Sequence, residues 1–332
     1  MGGELAHKAF DRQKSETASL YVTGILALGI TLLVSSGWAN SYPVRPVRLI
    51  VPFAPGGGSE VTARVISQKL TESLGQTFVV DSRPGAASLI GTMIVAKAVP
   101  DGYTLLMADS GYTVAAISYP KPPFDALKDF VPVGLIATTP RALMAHPSFA
   151  TSLKDLIAMP KGESVQIALG TSGGTPRLTY QLLRIRTGLT LNEVSYKGGG
   201  PALVDTVAGQ IPLVFTSLAA GMTYLKSGKL NGLGITTAKR HPSAPQISTF
   251  AEAGVDDFIM VNWYGVLAPA GTPMAVVQIL NREISKALTV TETRERLGSL
   301  AFDITPSTVK EFTQLLSNEL KHWKIIVAQT QL

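Results

Sequence analysis

Cysteine is absent from this 332-residue chain. That excludes disulfides, thiol catalysis, cysteine-ligated metals and a lipid anchor on an N-terminal cysteine. Histidine is scarce, with four in all. His146 and His241 each precede a proline in loop-like sequence, and His322 lies in a helical tail. No His, Asp and Glu cluster has the spacing of metal ligands. There is no G-x-S-x-G nucleophile elbow, and the serines beside glycine loops have no obvious base partner. The loop Gly56-Gly57-Gly58-Ser59 lacks the Lys-Ser/Thr of a P-loop. A dinucleotide fingerprint comes closer, through Gly56, Gly58 and Asp81, but its third glycine falls on Val61. Charged residues make up only 16% of the chain, for a net charge of +6. The basic residues are scattered and the aromatics do not interleave with them, so nucleic-acid binding has no support. Neither a cofactor nor a metal is expected.

Long apolar runs are also missing, with one exception. Leu20–Val34 is uncharged throughout; Lys8, Arg12 and Lys14 precede it, and Gly37-Trp38-Ala39 follows. This is the layout of a secretory signal peptide cleaved after Ala39, shorter than the roughly 20 residues a spanning helix needs. No twin arginine is present, so export of a folded, cofactor-loaded protein is not indicated. Cleavage leaves 293 residues with the same net charge, enough for one large or two ordinary domains. A cysteine-free, unanchored, exported chain suits the periplasm of a double-membraned bacterium.

What is present is a repeated device. Val47–Arg64 reads VRLIVPFAPGGGSEVTAR: strand-forming residues, then Pro55 and three glycines, then a helical pattern. A glycine-rich strand-to-helix turn exposes backbone N–H groups at the positive end of a helix dipole, which favours an anion. Strands at 77–81 and 104–108 and a helix at 86–99 complete a β-α-β-α-β order, which predicts a doubly wound parallel sheet. The device recurs at 165–186 around Gly170–Pro176, and at 194–208 around Gly198–Gly200. Strands at 211–216 and 230–236 follow. Two α/β units, each presenting helix N-termini, point to a ligand held between domains. Val276, Leu280, Ile284 and Leu288 form one apolar stripe; Val309, Phe312, Leu316, Leu320, Trp323 and Val327 form another. Trp263 and Tyr264 fit either a core or a pocket wall.

Six segments in order, PFAPGGGSE, SRPGAASLIGTMIVAKAVPDGYTLL, FDALKDFVPV, YKGGGPALVDTVAGQIPLVF, STFAEAG and WYGVLAPAGTP, resemble the substrate-binding proteins of tripartite tricarboxylate transporters, the TctC or Bug family. The resemblance runs from about Tyr42 to the C-terminus. It implies a type II periplasmic binding-protein fold: domain 1 from 40–140 and 238–332, domain 2 from 141–237, and an interdomain cleft. It also implies a small carboxylate ligand, membrane transporter subunits as partners and no catalysis; nothing in the sequence demands more than a monomer. Carried onto this sequence, the first-domain contacts are Ala54, Gly56, Gly57, Gly58 and Ser59, with Ala86 and Ala87 nearby and Ser110 at a strand end. The second-domain contacts are Thr171, Ser172, Gly173 and Thr175, with Tyr196, Gly199 and Thr216 lining the cleft. Glu60 stands where the family usually has Asp. Arg177 stands where it often has His; it either adds a cation to the second anchor or faces solvent. The expected function is periplasmic capture of a small di- or tricarboxylate by domain closure and delivery to a membrane permease. A ligand sensor for a two-component system and an exported enzyme on a small acid are the alternatives.

Overall fold

The computed structural model describes residues 42–118, 121–149, 152–159, 168–171 and 174–330, with the side chains of 328–330 left aside. The proposed leader therefore lies outside the described residues. All elements below belong to the compact unit Arg45–Leu332.

The first half is built as its sequence predicts. Strand β1 (Val47–Val51) lies between β2 (Phe78–Ser82) and β3 (Thr104–Asp109), parallel to both. Helix α1 (Gly58–Leu74) follows the glycine loop and packs on β1 and β2. It ends at Gly75, whose left-handed backbone (φ 70°) closes the last turn onto Thr71 O. A 3₁₀ turn (Ala86–Ser88) precedes α2 (Leu89–Ala96), where the sequence pattern predicts one longer helix. Helix α3 (Ser110–Ala115) springs directly from β3.

The two halves share one strand. That strand, β4, runs sixteen residues, Phe130–Ala145. Pro132 and Pro140 disguise it. Register shifts fall between Pro132 and Gly134, and Pro140 makes the last pair of β4 with β9 (Val261–Pro269), where a missing N–H costs the ladder least. From Arg141 onward β4 pairs instead with β7 (Leu213–Ser217) and β8 (Asn231–Ile235). Beyond β7 lie β5 (Ala168–Thr171) and β6 (Asn192–Ser195), both parallel, so the order is β2-β1-β3-β9-β4-β7-β5-β6. The short β10 (Asp303–Ile304) adds to β4 on the first-half side.

Alternation along β4 and β7 explains why the second half carries helices on both faces. Leu143, Ala145, Leu213 and Phe215 enter one core, with Leu178, Leu182 and Leu183 of α5 (Gly174–Thr187) and Leu153 and Leu156 of α4 (Leu153–Ala158). Ala142, Met144 and Val214 enter the opposite core, with Ala202 and Leu203 of α6 (Gly199–Val207) and Leu218 and Met222 of α7 (Leu218–Lys226). Phe250, Val255, Phe258 and Met260 also pack into the first of these cores, so the chain stays with the second half until β9 begins. In the first half, the aromatic trio Tyr112, Phe124 and Phe130 joins Trp263 and the stripe residues Phe312 and Leu316. Those last two come from α10 (Val309–Thr330), which with α8 (Met274–Ala287) flanks β4; α9 (Thr291–Gly298) lies between them in sequence.

Candidate functional site

A polar cavity opens where the halves meet. Five helices start at its wall: α1 at Gly58, α3 at Ser110, α5 at Gly174, α6 at Gly199 and α7 at Leu218. The first turn of each helix leaves backbone N–H groups without intrahelical partners, and each helix brings the positive end of its dipole. The caps of α1 (Gly57) and α6 (Gly198) accept no bond through a side chain, so those amides are not consumed there. The cap of α3 is Asp109. Its Oδ1 accepts from Gly111 N–H at 2.8 Å and its Oδ2 from Ser59 Oγ at 2.9 Å, tying the start of α3 to that of α1.

Glycine is required here by closeness. A Cβ on Gly58 would fall on Tyr264 Oη and within 2.9 Å of Tyr264 Cζ. A Cβ on Gly200 would collide with Pro55 O and lie 3.0 Å from Gly56 Cα. The loops 54–57 and 197–200 therefore touch backbone to backbone, and Ala54 N–H donates to Lys197 C=O at 3.1 Å. The cavity they bound measures about 40 Å³.

Seven expected contacts line this cavity: Gly57, Gly58, Ser59, Ala87, Thr175, Gly199 and Thr216. Ser110 sits just behind the wall, bonded to Arg141 Nη2 at 2.8 Å and to Asn262 Oδ1. Five others are engaged elsewhere or lie aside. Ala54 gives its amide to Lys197, and Gly56 gives its own to Glu60 Oε2 at 2.7 Å. Thr171 donates to Glu193, and Tyr196 to Asp205 at 2.7 Å. Ala86 lines a neighbouring hollow with Tyr196. Ser172 and Gly173 lie outside the described residues. Glu60 thus reaches back to tie the glycine loop, while Arg64 Nε donates to its Oε1 at 2.7 Å. Arg177 is half exposed, 3.6 Å from Glu193, and is not among the cavity residues.

The cation in the wall is Arg141, which the motifs did not single out, along with Asp109, Asn262, Ser217 and Phe53; Tyr264, expected in a core or a pocket wall, lines it too. A signal for Arg141 was available: it is the one charged residue in the apolar run Phe130–Ala145. Its Nη2 also donates to Asn262 Oδ1 at 2.5 Å. Burial pushes the Arg141 guanidinium down from its ordinary value, against the opposing pull of Asp109, Tyr264 and Glu319. Burial pushes the Asp109 carboxyl up, against Arg141 and the Gly111 and Ser59 bonds. Tyr264 is raised by burial and by the nearby Asp109 charge, which keeps its hydroxyl neutral. On β9 the two aromatics divide by alternation: Tyr264 faces the cavity, while Trp263 packs on Phe312 in the core. No group of three or more His, Cys, Asp and Glu able to hold a metal occurs among the described residues.

The family model for the tripartite tricarboxylate transporter family receptor matches residues 62–332. The chain belongs to that family. It is 36% identical over 324 residues to BugT of Bordetella pertussis, covering 95% of this chain and 98% of that one. Among solved structures, an R. palustris protein with adipate superposes with a TM-score of 0.82 at 32% identity, covering 87% of this chain and 98% of that one. MatC of Rhodopseudomonas palustris with bound malate gives 0.82 at 30% identity, covering 86% and 100%. Members of this family are periplasmic solute-binding proteins rather than enzymes, and the two-domain α/β type II fold is theirs. No helix among the described residues is long and apolar enough to cross a membrane.

Proposed function

We propose that this chain captures a small organic acid in the cavity between its halves. The acid carries one or more ionised carboxylates, and the closed form delivers it to the membrane subunits of a tripartite tricarboxylate transporter. One observation carries the reading: helix N-termini from both halves open on a single polar cavity, and those of α1 and α6 have no side-chain cap. Backbone amides compensate a carboxylate without the desolvation cost of burying a lysine. Gly57, Gly58 and Ser59 on one side, and Thr175, Gly199 and Thr216 on the other, are the contacts. The relatives solved with adipate and malate support the ligand class.

The loops 54–57 and 197–200 meet across the cavity, so the halves part to load the ligand and close on it. The outward crossing is at Pro140–Arg141. The packing of Phe250 and Phe258 supports a return crossing near Met260 rather than at 237. Residues 1–39 act as the export signal to the periplasm, and the mature protein works as a monomer.

Thermal melts of the mature chain with graded adipate, malate and citrate test this. The melting temperature should rise as ln(1 + [L]/Kd) for at least one acid. No rise with any acid, alongside a rise with a neutral solute such as a sugar, would overturn the reading.

A further inference from the structure

The cavity wall holds one full positive charge whose surroundings do not match it. Arg141 is only 4% exposed. Its Nη2 serves Ser110 Oγ and Asn262 Oδ1, both uncharged acceptors. Its Nε is buried with no hydrogen-bond partner. Asp109 and Glu319 act on it across space, without an ion pair to either. A buried guanidinium with an unused N–H is costly, and a neutral side chain could tie Ser110 to Asn262 as well. That cost makes sense where something else uses the charge. Arg141 lines the same cavity as Gly58, Gly174 and Gly199, so the side chain adds its charge to helix ends of the same sign.

We propose that Arg141 is the charged anchor of the cleft: it receives an ionised carboxylate of the ligand, which enters carboxylate first. A neutral analogue of the same shape is refused. Asp109 stands in the same wall with the opposite sign, its oxygens held by Ser59 and Gly111, so a second acidic group on the ligand points away from it. Selection for an anion thus rests on a side chain as well as on amides. This inference rests on the carboxylate reading above.

Calorimetric titration with adipate, malate and the neutral diamide adipamide tests it, on wild type, Arg141→Met, Arg141→Gln and Arg141→Lys. Wild type should bind an acid and not adipamide. Without ligand, Arg141→Met should stay folded, with Ser110 still donating to Asn262 Oδ1. Its affinity for the acid should fall about 30-fold or more, and Arg141→Lys should retain part of it. If the methionine variant does not fold, Arg141→Gln carries the same affinity expectation. Folded variants that bind the acid within threefold of wild type would overturn this inference alone. So would wild type that binds adipamide as well as adipate. Wild type that binds none of the acids would overturn the carboxylate reading and this inference together.

Discussion

Replacing Gly200 by alanine should separate closure from folding. Gly200 lies in the first turn of α6, where alanine is a better helix former by up to about 1 kcal/mol. The second half alone should therefore tolerate it. The new Cβ would meet Pro55 O, with Pro55 C and Gly56 Cα both at 3.0 Å. These are backbone atoms of the opposite loop and cannot swing aside like a side chain. Overpacking of this kind costs about 1–3 kcal/mol. Paid only when the loops meet, it should weaken ligand binding by about 5- to 150-fold. Gly298→Ala is the control, since a Cβ there meets nothing within 4 Å and the residue lies outside the cavity. Calorimetry against the acid that raises the melting temperature gives the affinities, and urea melts without ligand give the stabilities. Equal affinity for Gly200→Ala and wild type would refute the view that these loops meet in the ligand-bound form. An equal loss of stability and of affinity would refute it too.

Two further outcomes follow from residues outside the cavity. Burial pushes Glu319 up to about 7 from 4.5, although Thr113 and Trp263 donate towards it. Thr113 Oγ1 also lies 2.9 Å from Ser110 O, and its one proton cannot serve both, so a protonated Glu319 donating to Thr113 satisfies the group. A raised acid favours the fold fully below about 4.5 and loses that contribution as pH climbs through about 7, by about 2–3 kcal/mol. Glu319→Gln should flatten this part of the stability profile in urea melts at pH 5 and pH 8; an unchanged slope would contradict it. Ala86, Ala87 and Ser88 all hold left-handed φ, at 46°, 51° and 83°. Exposed Ala86 has little packing to lose, so Ala86→Gly should gain up to about 1 kcal/mol in a urea melt, and a loss would show that the turn is not strained.

Much of the first half was legible because its signals are local. The run Val47–Val51, three glycines and an apolar spacing of four along α1 specify strand, turn and helix within one stretch of chain. The long β4 and β9 were not legible, since their pairing spans more than a hundred residues and prolines at 132 and 140 look like strand breaks. The cavity was legible where glycines announced it. Glycine position alone could not say which amides are free: Gly56 turns inward to Glu60 and Ala54 to Lys197, and both depend on partners elsewhere in the fold. Arg141 is the sharper case. A motif-based reading looks for cations beside glycine loops and so weighs only Arg177, as a second anchor or a solvent-facing side chain, whereas Arg141 arrives from the crossing strand.

The most direct test is mass spectrometry of whatever is released when the protein, purified natively from an exporting host, is denatured. The account predicts one small organic acid per chain, held through at least one carboxylate, and its absence from Arg141→Met purified in parallel. A neutral or cationic solute recovered in equal amount from both proteins would contradict it.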